Sequence, residues 1–458
     1  MNLLGDLQMK DKLKNILSFE KILELYIIIQ FIIDIATSFC VKYVNESLSL
    51  GIFVRTGFLI ILVCYSFLKS DKKDRIKLIV FYGILGVYLV TFLAICYRTF
   101  GTFGIFSQIK GALKTFYLPI ILIAFMPIWK KKNIKIKKNV LIYALLGYTG
   151  VIFLGRVLKI SYLSYPLGNG EGTMGLFYAA NEIGVIVSML APFTVLELLD
   201  GNISFVNIIA MIALVFASLE LGTKVPFLSL IIMMCVVLYS CIVKLPNKNE
   251  RKENIKRLLV TLVVGMLIFL LFPYMPISTN INNAYGFSVP KLINIGAGTS
   301  ETVPKEKLET KEEIETAVYS SRNIYLSENL GKYRESSLIK KLFGIGYLRE
   351  NIENNEVTEL KLVEIDYYDI FICHGIAGTI VYLIPFMYLV FIIGKKILQN
   401  IKDVLLDREL IFMEYSIAIA LLVAFTAGHV FTAPAPALFL AVNILQYCKK
   451  IDDKSGGK

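Results

Sequence analysis

The sequence predicts an all-α polytopic integral membrane protein with about twelve transmembrane helices and one large extracytoplasmic loop. Three observations predict it. Of the 458 residues, 56% are hydrophobic and only 18% charged, and the mean hydropathy is +0.65. A single soluble core could not hide that much apolar surface. The apolar residues gather into runs of membrane-crossing length, and the basic residues between them fall in blocks: six such blocks hold 29 of the 48 Lys and Arg.

A helix rises about 1.5 Å per residue, so crossing a hydrocarbon core about 30 Å thick takes about 20 apolar residues. Runs of this kind fall near 22–41, 48–68, 77–97, 112–129, 139–155, 176–197, 204–221, 225–243, 257–273, 370–393, 410–428 and 431–448. The fourth competes with a reading in which Gly111 to Lys114 join Gly101 to Lys110 in an amphipathic surface piece. Residues 1–272 thus hold helices one to nine, 273–369 the loop, and 370–458 the last three helices. The segment before the first run carries Lys10, Lys12 and Lys14 and lacks a small-residue cleavage site, so that run reads as an uncleaved anchor.

The six basic blocks are Lys10 to Lys21, Lys69 to Lys77, Lys130 to Lys138, Lys244 to Arg257, Lys395 to Arg408 and Lys449 to Lys458. With twelve spans all of them fall on one face. Short basic connections resist translocation, so both termini are expected in the cytoplasm and the loop outside. A chain rich in Lys, Ile and Asn suits an AT-rich bacterial genome, and a multi-pass chain with both termini inside is then expected in the bacterial cytoplasmic membrane. The net charge of +12 is then topological. Its basic residues form no surface interleaved with aromatics, so no nucleic-acid partner is expected. Seven cysteines in or beside apolar runs and only two histidines suggest no disulfide framework, metal site or cofactor.

Within the loop, Pro273 to Pro304 is rich in Asn, Gly, Ser and Pro and reads as irregular. From Lys305 to Ser337, the spacing of Leu308, Ile314, Val318, Ile324, Leu326 and Leu330 predicts one or two amphipathic helices ending near Gly331 or shortly after. The second half of the chain does not repeat the first, which counts against transporters built from paired repeats.

A charged group inside a span costs about 2.5–3.5 kcal/mol, so each one raises a functional hypothesis. In the predicted orientation Asp34, Arg55, Asn181, Glu182 and Glu220 lie in the outer halves of their spans. Arg156, Lys159, Lys224, His374 and His429 lie at or near outer ends. The inner halves hold little beyond Glu197 and Glu414. A polar cavity open to the outside, under the loop, accounts for this one-sidedness. Structural alternatives stand beside it: Arg55 snorkelling or pairing with Asp34, Asn181-Glu182 bonding between helices, Lys224 in a tight turn, and His429 at the interface.

Several of these pieces together resemble the O-antigen ligase-like, Wzy-type polysaccharide polymerases, particularly their Gram-positive branch. The resemblance covers most of the chain. It rests on Arg55 in the second span, Phe177-Tyr178-Ala179-Ala180-Asn181-Glu182 opening the sixth, Gly222-Thr223-Lys224 before the eighth and Ala427-Gly428-His429 ending the eleventh. In the loop, Ser321-Arg322-Asn323 is similar to a Ser-Gly-Arg-Asp motif with Gly replaced by Ser and Asp by Asn. Leu342-Phe343-Gly344-Ile345-Gly346 is similar to a Gly-Ile-Gly motif, and Gly375-Ile376-Ala377-Gly378 to the Gly-Ile-Ile-Gly of the following span. Many ligases of the superfamily carry His-Asn about eleven residues before that glycine. This chain has Glu364 there, followed by Asp366 and Asp369.

The resemblance implies a fold related to lipid-dependent, GT-C-like glycosyltransferases and glycan transfer on the outer face. It also implies a substrate carried on undecaprenyl pyrophosphate, with membrane lipid, a flippase and a chain-length regulator as partners. On that basis Arg55, Arg156, Lys224 and Arg322 are expected to grip the pyrophosphate, since cations in a dry cavity stabilise its developing charge and Arg grips phosphate bidentately. Glu364 or Asp366, with His429 as a third candidate, would take the proton of the acceptor hydroxyl. In an extended segment the two carboxylates would face one side, and their repulsion would raise one pKa. A solvated acidic loop, or ion pairs with Lys361 or Arg349, is the structural alternative. Asp34, Asn181, Glu182 and Asp369 would line the cavity, with no metal required. Two other functions stay open: a ligase moving finished glycan to another acceptor, and a flippase or transporter.

Overall fold

The computed structural model describes residues 18–44, 49–132, 134, 136–165, 170–285, 321–351 and 356–456. A helix stands at each of the twelve predicted spans. α1 (Phe19–Ile28) and α2 (Gln30–Tyr43) form the first, bent by 50° at their junction. α3 is Leu50–Lys69, α4 Lys72–Thr102, α5 Gly104–Trp129, α6 Lys138–Val157, α7 Ala180–Leu199, α8 Phe205–Glu220, α9 Lys224–Ile242 and α10 Arg251–Leu271. After the loop come α14 (Asp366–Gln399), the short α15 (Ile401–Leu406), α16 (Arg408–Thr426) and α17 (Pro434–Gly456). Nine helices of the described residues are long and apolar enough to cross a membrane, ten with the bent pair as one span, while α8 is shorter at 16 residues. The chain is a multi-pass membrane protein.

The centre is α7. Between Glu182 and Glu197 it is almost wholly apolar on every side, as a helix surrounded by others must be, and every residue from Ile183 to Leu196 is buried. α6, α8, α9, α16 and α17 pack around it. At the other extreme is α10, where only Asn254 and Ile268 are buried and which packs chiefly on α9. Its exposed Leu259, Val263 and Phe269 suit contact with lipid.

The helix ends that carry basic blocks meet at one end of the bundle. Lys138 pairs with Glu197 at 3.3 Å, Arg408 donates to Asn254 at 2.9 Å, and Lys454 reaches Asp407 at 2.6 Å. Glu197 and Glu414, the acids expected near that boundary, are both engaged there, the latter by Tyr447 at 2.8 Å.

The loop covers the other end, and here the structure departs from the sequence reading twice. Residues 104–111 are the first turns of the long α5 rather than a surface piece, because Gly101, at φ 66° and ψ −164°, supplies the break that separates α5 from α4. Part of the stretch expected to be irregular is the helix α11 (Pro276–Tyr285). Proline is well suited to a first helical position, and the burial of Ile277 anchors this helix. Of the predicted amphipathic helices, α12 (Arg322–Glu335) is present and ends shortly after Gly331, while Leu308, Ile314 and Val318 lie outside the described residues. α13 (Leu338–Phe343) and a hairpin of β1 (Leu348–Asn351) and β2 (Glu356–Glu359) complete the described part of the loop, with Leu348 opposite Glu359.

A glycine seam docks the loop on the bundle. Gly375, at φ 66° and ψ −169°, interrupts α14 and frees the carbonyls of the turn before it. Ile345 and Gly346 donate their N–H groups to the carbonyls of Ile372 and Cys373, both at 3.1 Å. A Cβ on Gly344 would lie 2.0 Å from the Cys373 carbonyl oxygen, and one on Gly375 would lie 2.5 Å from the Gly344 nitrogen. The two backbones can approach this closely only because both positions lack side chains.

Candidate active site

A cavity of about 460 Å³ opens at the loop end of the bundle. Asp34 of α2, Arg55 of α3, Lys110 and Lys114 of α5 and Glu182 of α7 contribute its helical wall. Tyr347, Glu359, Glu364 and Asp369 come from the loop and the start of α14, and His429 and Thr432 from the segment between α16 and α17. Groups separated by almost 400 positions in the sequence thus line one polar chamber, half of it membrane helix and half docked loop.

Arg55 is buried, and its guanidinium is held by Asp34 at 2.5 Å and by Gln30 at 3.0 Å. Tyr148 donates to the second oxygen of Asp34 at 2.7 Å. The neutralised pair is what a helix bundle can tolerate, since an isolated buried charge would be far more costly. Gly51 makes room for it: a Cβ there would meet the guanidinium at 2.7 Å.

On the loop side, Arg322 is buried and clamps two segments together. It donates to the Glu364 carbonyl at 3.1 Å, to the Glu364 carboxylate at 3.0 Å and to the Ala427 carbonyl at 3.4 Å. Lys361 holds the other Glu364 oxygen at 3.0 Å. Burial alone would raise the Glu364 pKa. The hydrogen bond from Lys361 and the charges of His429, Lys361 and Arg322 outweigh it and hold the carboxyl below its ordinary range.

Asp366 has a different task. Its fully buried carboxylate accepts the backbone N–H groups of His429, Val430 and Phe431 at 3.1, 2.8 and 2.8 Å and the Thr432 hydroxyl at 2.6 Å. It therefore shapes the segment that carries His429, which like Glu364 has a positive φ, near 61°. Such backbone is strained for residues with side chains and persists only where surroundings enforce it. Glu364 and Asp366 do not face one side as an extended segment would require, because the left-handed Glu364 turns the chain before α14 begins. Asp369, also in the wall, accepts the Val363 N–H at 2.8 Å.

Of the candidates drawn from sequence, the wall contains Asp34, Arg55, Glu182, Glu364, Asp369 and His429. Asn181 is half-buried beside it, and Asp366 and Arg322 support it from behind. Arg156 lies outside it, 59% exposed and paired with Glu220 at 3.3 Å. Lys224 begins α9, two residues after Gly222, whose carbonyl takes a hydrogen bond from Asn280 at 2.8 Å, and does not line the cavity. Lys110 and Lys114 were missed. Their spacing of four residues puts both on one helix face, directly before an apolar run. That pattern was visible once 104–111 is read as helix. Tyr347 was also missed. Its backbone N–H donates to the Gln108 side-chain oxygen at 2.9 Å, and its hydroxyl meets the buried His374 at 2.6 Å.

The fold and site together define a polytopic helical membrane protein with a polar chamber at one end, roofed by a docked loop and bearing both cations and carboxylates. The chain belongs to the family of O-antigen ligase like membrane proteins, whose sequence model matches residues 17–450. No curated protein matches it. Membership points to a membrane glycan polymerase or ligase, a glycosyltransferase-type activity on a lipid-linked glycan.

Proposed function

We propose that the protein is a polymerase that joins undecaprenyl-pyrophosphate-linked oligosaccharide repeats into a surface polysaccharide on the outer face of the bacterial cytoplasmic membrane. The observation that carries this reading is the composition of the chamber: Arg55, Lys110 and Lys114 on the helical wall, with Glu364 and His429 on the loop side. Lys110 and Lys114, with the Asp34-paired Arg55 beside them, suit a pyrophosphate, and a carboxylate beside a histidine suits a sugar hydroxyl. Arg322 and Asp366 act as positioning residues that fix Glu364 and His429. Arg156 and Lys224 lie outside the chamber, where they suit a longer glycan or the headgroup region.

In the proposed reaction the acceptor hydroxyl oxygen bonds to the anomeric carbon of the donor. The bond from that carbon to the pyrophosphate oxygen breaks, and the lipid pyrophosphate leaves with the electron pair. Arg55, Lys110 and Lys114 stabilise the charge that builds on it. Glu364 receives the hydroxyl proton. Its low pKa keeps it ionised at neutral pH and suits proton transfer late in the step, once the hydroxyl has become acidic through bonding to carbon.

The test uses purified full-length protein with a lipid-linked repeat in liposomes, with products resolved by gel. A ladder of increasing length supports polymerisation. In cells lacking the protein, single repeats should accumulate on lipid at the outer face. Long polymer retained on lipid would instead indicate a ligase, the reading that the family's own name favours. Repeats trapped on the inner face would indicate transport.

A further inference from the structure

A second cavity lies at the opposite end of the bundle, where the basic blocks meet. It encloses about 170 Å³ between α4, α5, α14 and α17. Its inner wall is apolar, with Ile123, Met126, Leu389, Ile392 and Leu445. Its rim is charged, with Lys77 and Lys449 against Asp74, Asp452 and Asp453. Two of the carboxylates are engaged within the protein, Asp74 by Lys77 at 2.8 Å and Asp452 by Lys396 at 2.5 Å. Asp453 stands exposed at the rim.

The independent observation is Trp129, the one tryptophan of the sequence. It lines this cavity, is 4% exposed, and its indole N–H has no hydrogen-bond acceptor among the described residues. A buried donor without an acceptor costs stability, and a buried tryptophan ordinarily finds a partner. The cavity therefore offers an apolar wall, an indole N–H and two lysines for an anion, and one exposed carboxylate for a cation.

We infer that this cavity binds an aminophospholipid, with an acyl chain on the apolar wall. Its phosphate accepts the Trp129 N–H beside Lys77 and Lys449, and its primary ammonium meets Asp453. The three carboxylates are balanced by Lys77, Lys449 and the Lys396 that holds Asp452, so the exposed Asp453 favours a headgroup that also carries a cation over one that is only anionic. A quaternary ammonium has no N–H to donate to Asp453. The site lies away from the chamber under the loop, so it stands or falls independently of the proposed reaction.

The single tryptophan gives the readout. Purified full-length protein in dilute detergent micelles is titrated with dibrominated-chain phosphatidylethanolamine, phosphatidylglycerol or phosphatidylcholine, and quenching of Trp129 fluorescence is followed. Phosphatidylethanolamine should quench saturably, with half-saturation at about fivefold lower mole fraction than the other two, the discrimination expected of one partly solvated ion pair. Asp453→Asn, at an exposed position that leaves the melting temperature unchanged, should abolish that preference and keep the weaker quenching. Trp129→Phe sets the background. Equal quenching by all three lipids, quenching without saturation, no quenching, or a preference that survives Asp453→Asn would each overturn the inference.

Discussion

Replacing Asp366 by Asn separates a positioning carboxylate from a catalytic one. One oxygen of Asp366 serves the His429 N–H and the Thr432 hydroxyl, and the other serves the N–H groups of Val430 and Phe431. An amide keeps the size of the side chain but turns one oxygen into a donor, so two of the four donors lose their acceptor whichever way it is placed. Hydrogen bonds to a charged group contribute about 1.5–3 kcal/mol each. The Thr432 hydroxyl can rotate to accept from the amide, so the lower end of the range applies to that orientation, and the expected loss is about 3 kcal/mol. Asp366→Ala strands all four donors and should cost more. The assay is thermal unfolding of the detergent-purified protein, run beside polymerisation in liposomes across pH. Both variants should unfold several degrees below the wild type and lose activity in step with stability, with the shape of the pH profile unchanged. If Asp366→Asn unfolds at the wild-type temperature while turnover falls more than about 100-fold with a displaced pH profile, Asp366 takes part in the chemistry and the positioning argument fails.

Lys114→Gln should lower turnover about 100-fold with little change in melting temperature, as expected for the loss of a charge that stabilises a leaving group. Arg156→Gln, outside the chamber and 59% exposed, should change turnover less than about twofold; the liposome assay compares the two. Glu364 has a folded pKa below its ordinary 4.5, so its ionised form adds stability that is fully present above 4.5 and is lost as pH falls through the depressed value. Melting temperatures of wild type and Glu364→Gln should therefore differ at neutral pH and converge on acidification, and a constant difference would refute the assignment. Gly344→Ala, which combines φ 96° with a Cβ 2.0 Å from the Cys373 oxygen, should undock the loop. Faster proteolysis of the loop with the helices intact is the expected result.

What the sequence revealed and what it concealed follow from the range of the forces involved. The twelve helices were legible because the bilayer demands long apolar runs and the cost of violating that demand is high. Asp34 and Arg55 were legible for the same reason, since a charge inside such a run stands out. Lys110 and Lys114 carry the same charge but sit at the edge of a run, where lysines are ordinary, and only the backbone break at Gly101 turns them toward the chamber. The motifs around Arg322 and Asp366 were legible as unusual residues but not as to their partners. A guanidinium addresses carbonyls as readily as phosphates, and a carboxylate addresses N–H groups as readily as hydroxyls. Arg322 meets Glu364 and Ala427, and Asp366 meets residues 429–432, across separations that no local pattern encodes. The left-handed backbone at Glu364 and His429 gave no signal either, because glutamate and histidine do not announce it as glycine does. Yet Gly428 stands beside His429, and a Cβ there would lie 2.7 Å from the Glu364 backbone carbonyl oxygen. The requirement for close approach is thus written in the glycines flanking the site, at 344, 375 and 428, while the groups they bring together are ordinary polar residues whose roles depend on that approach.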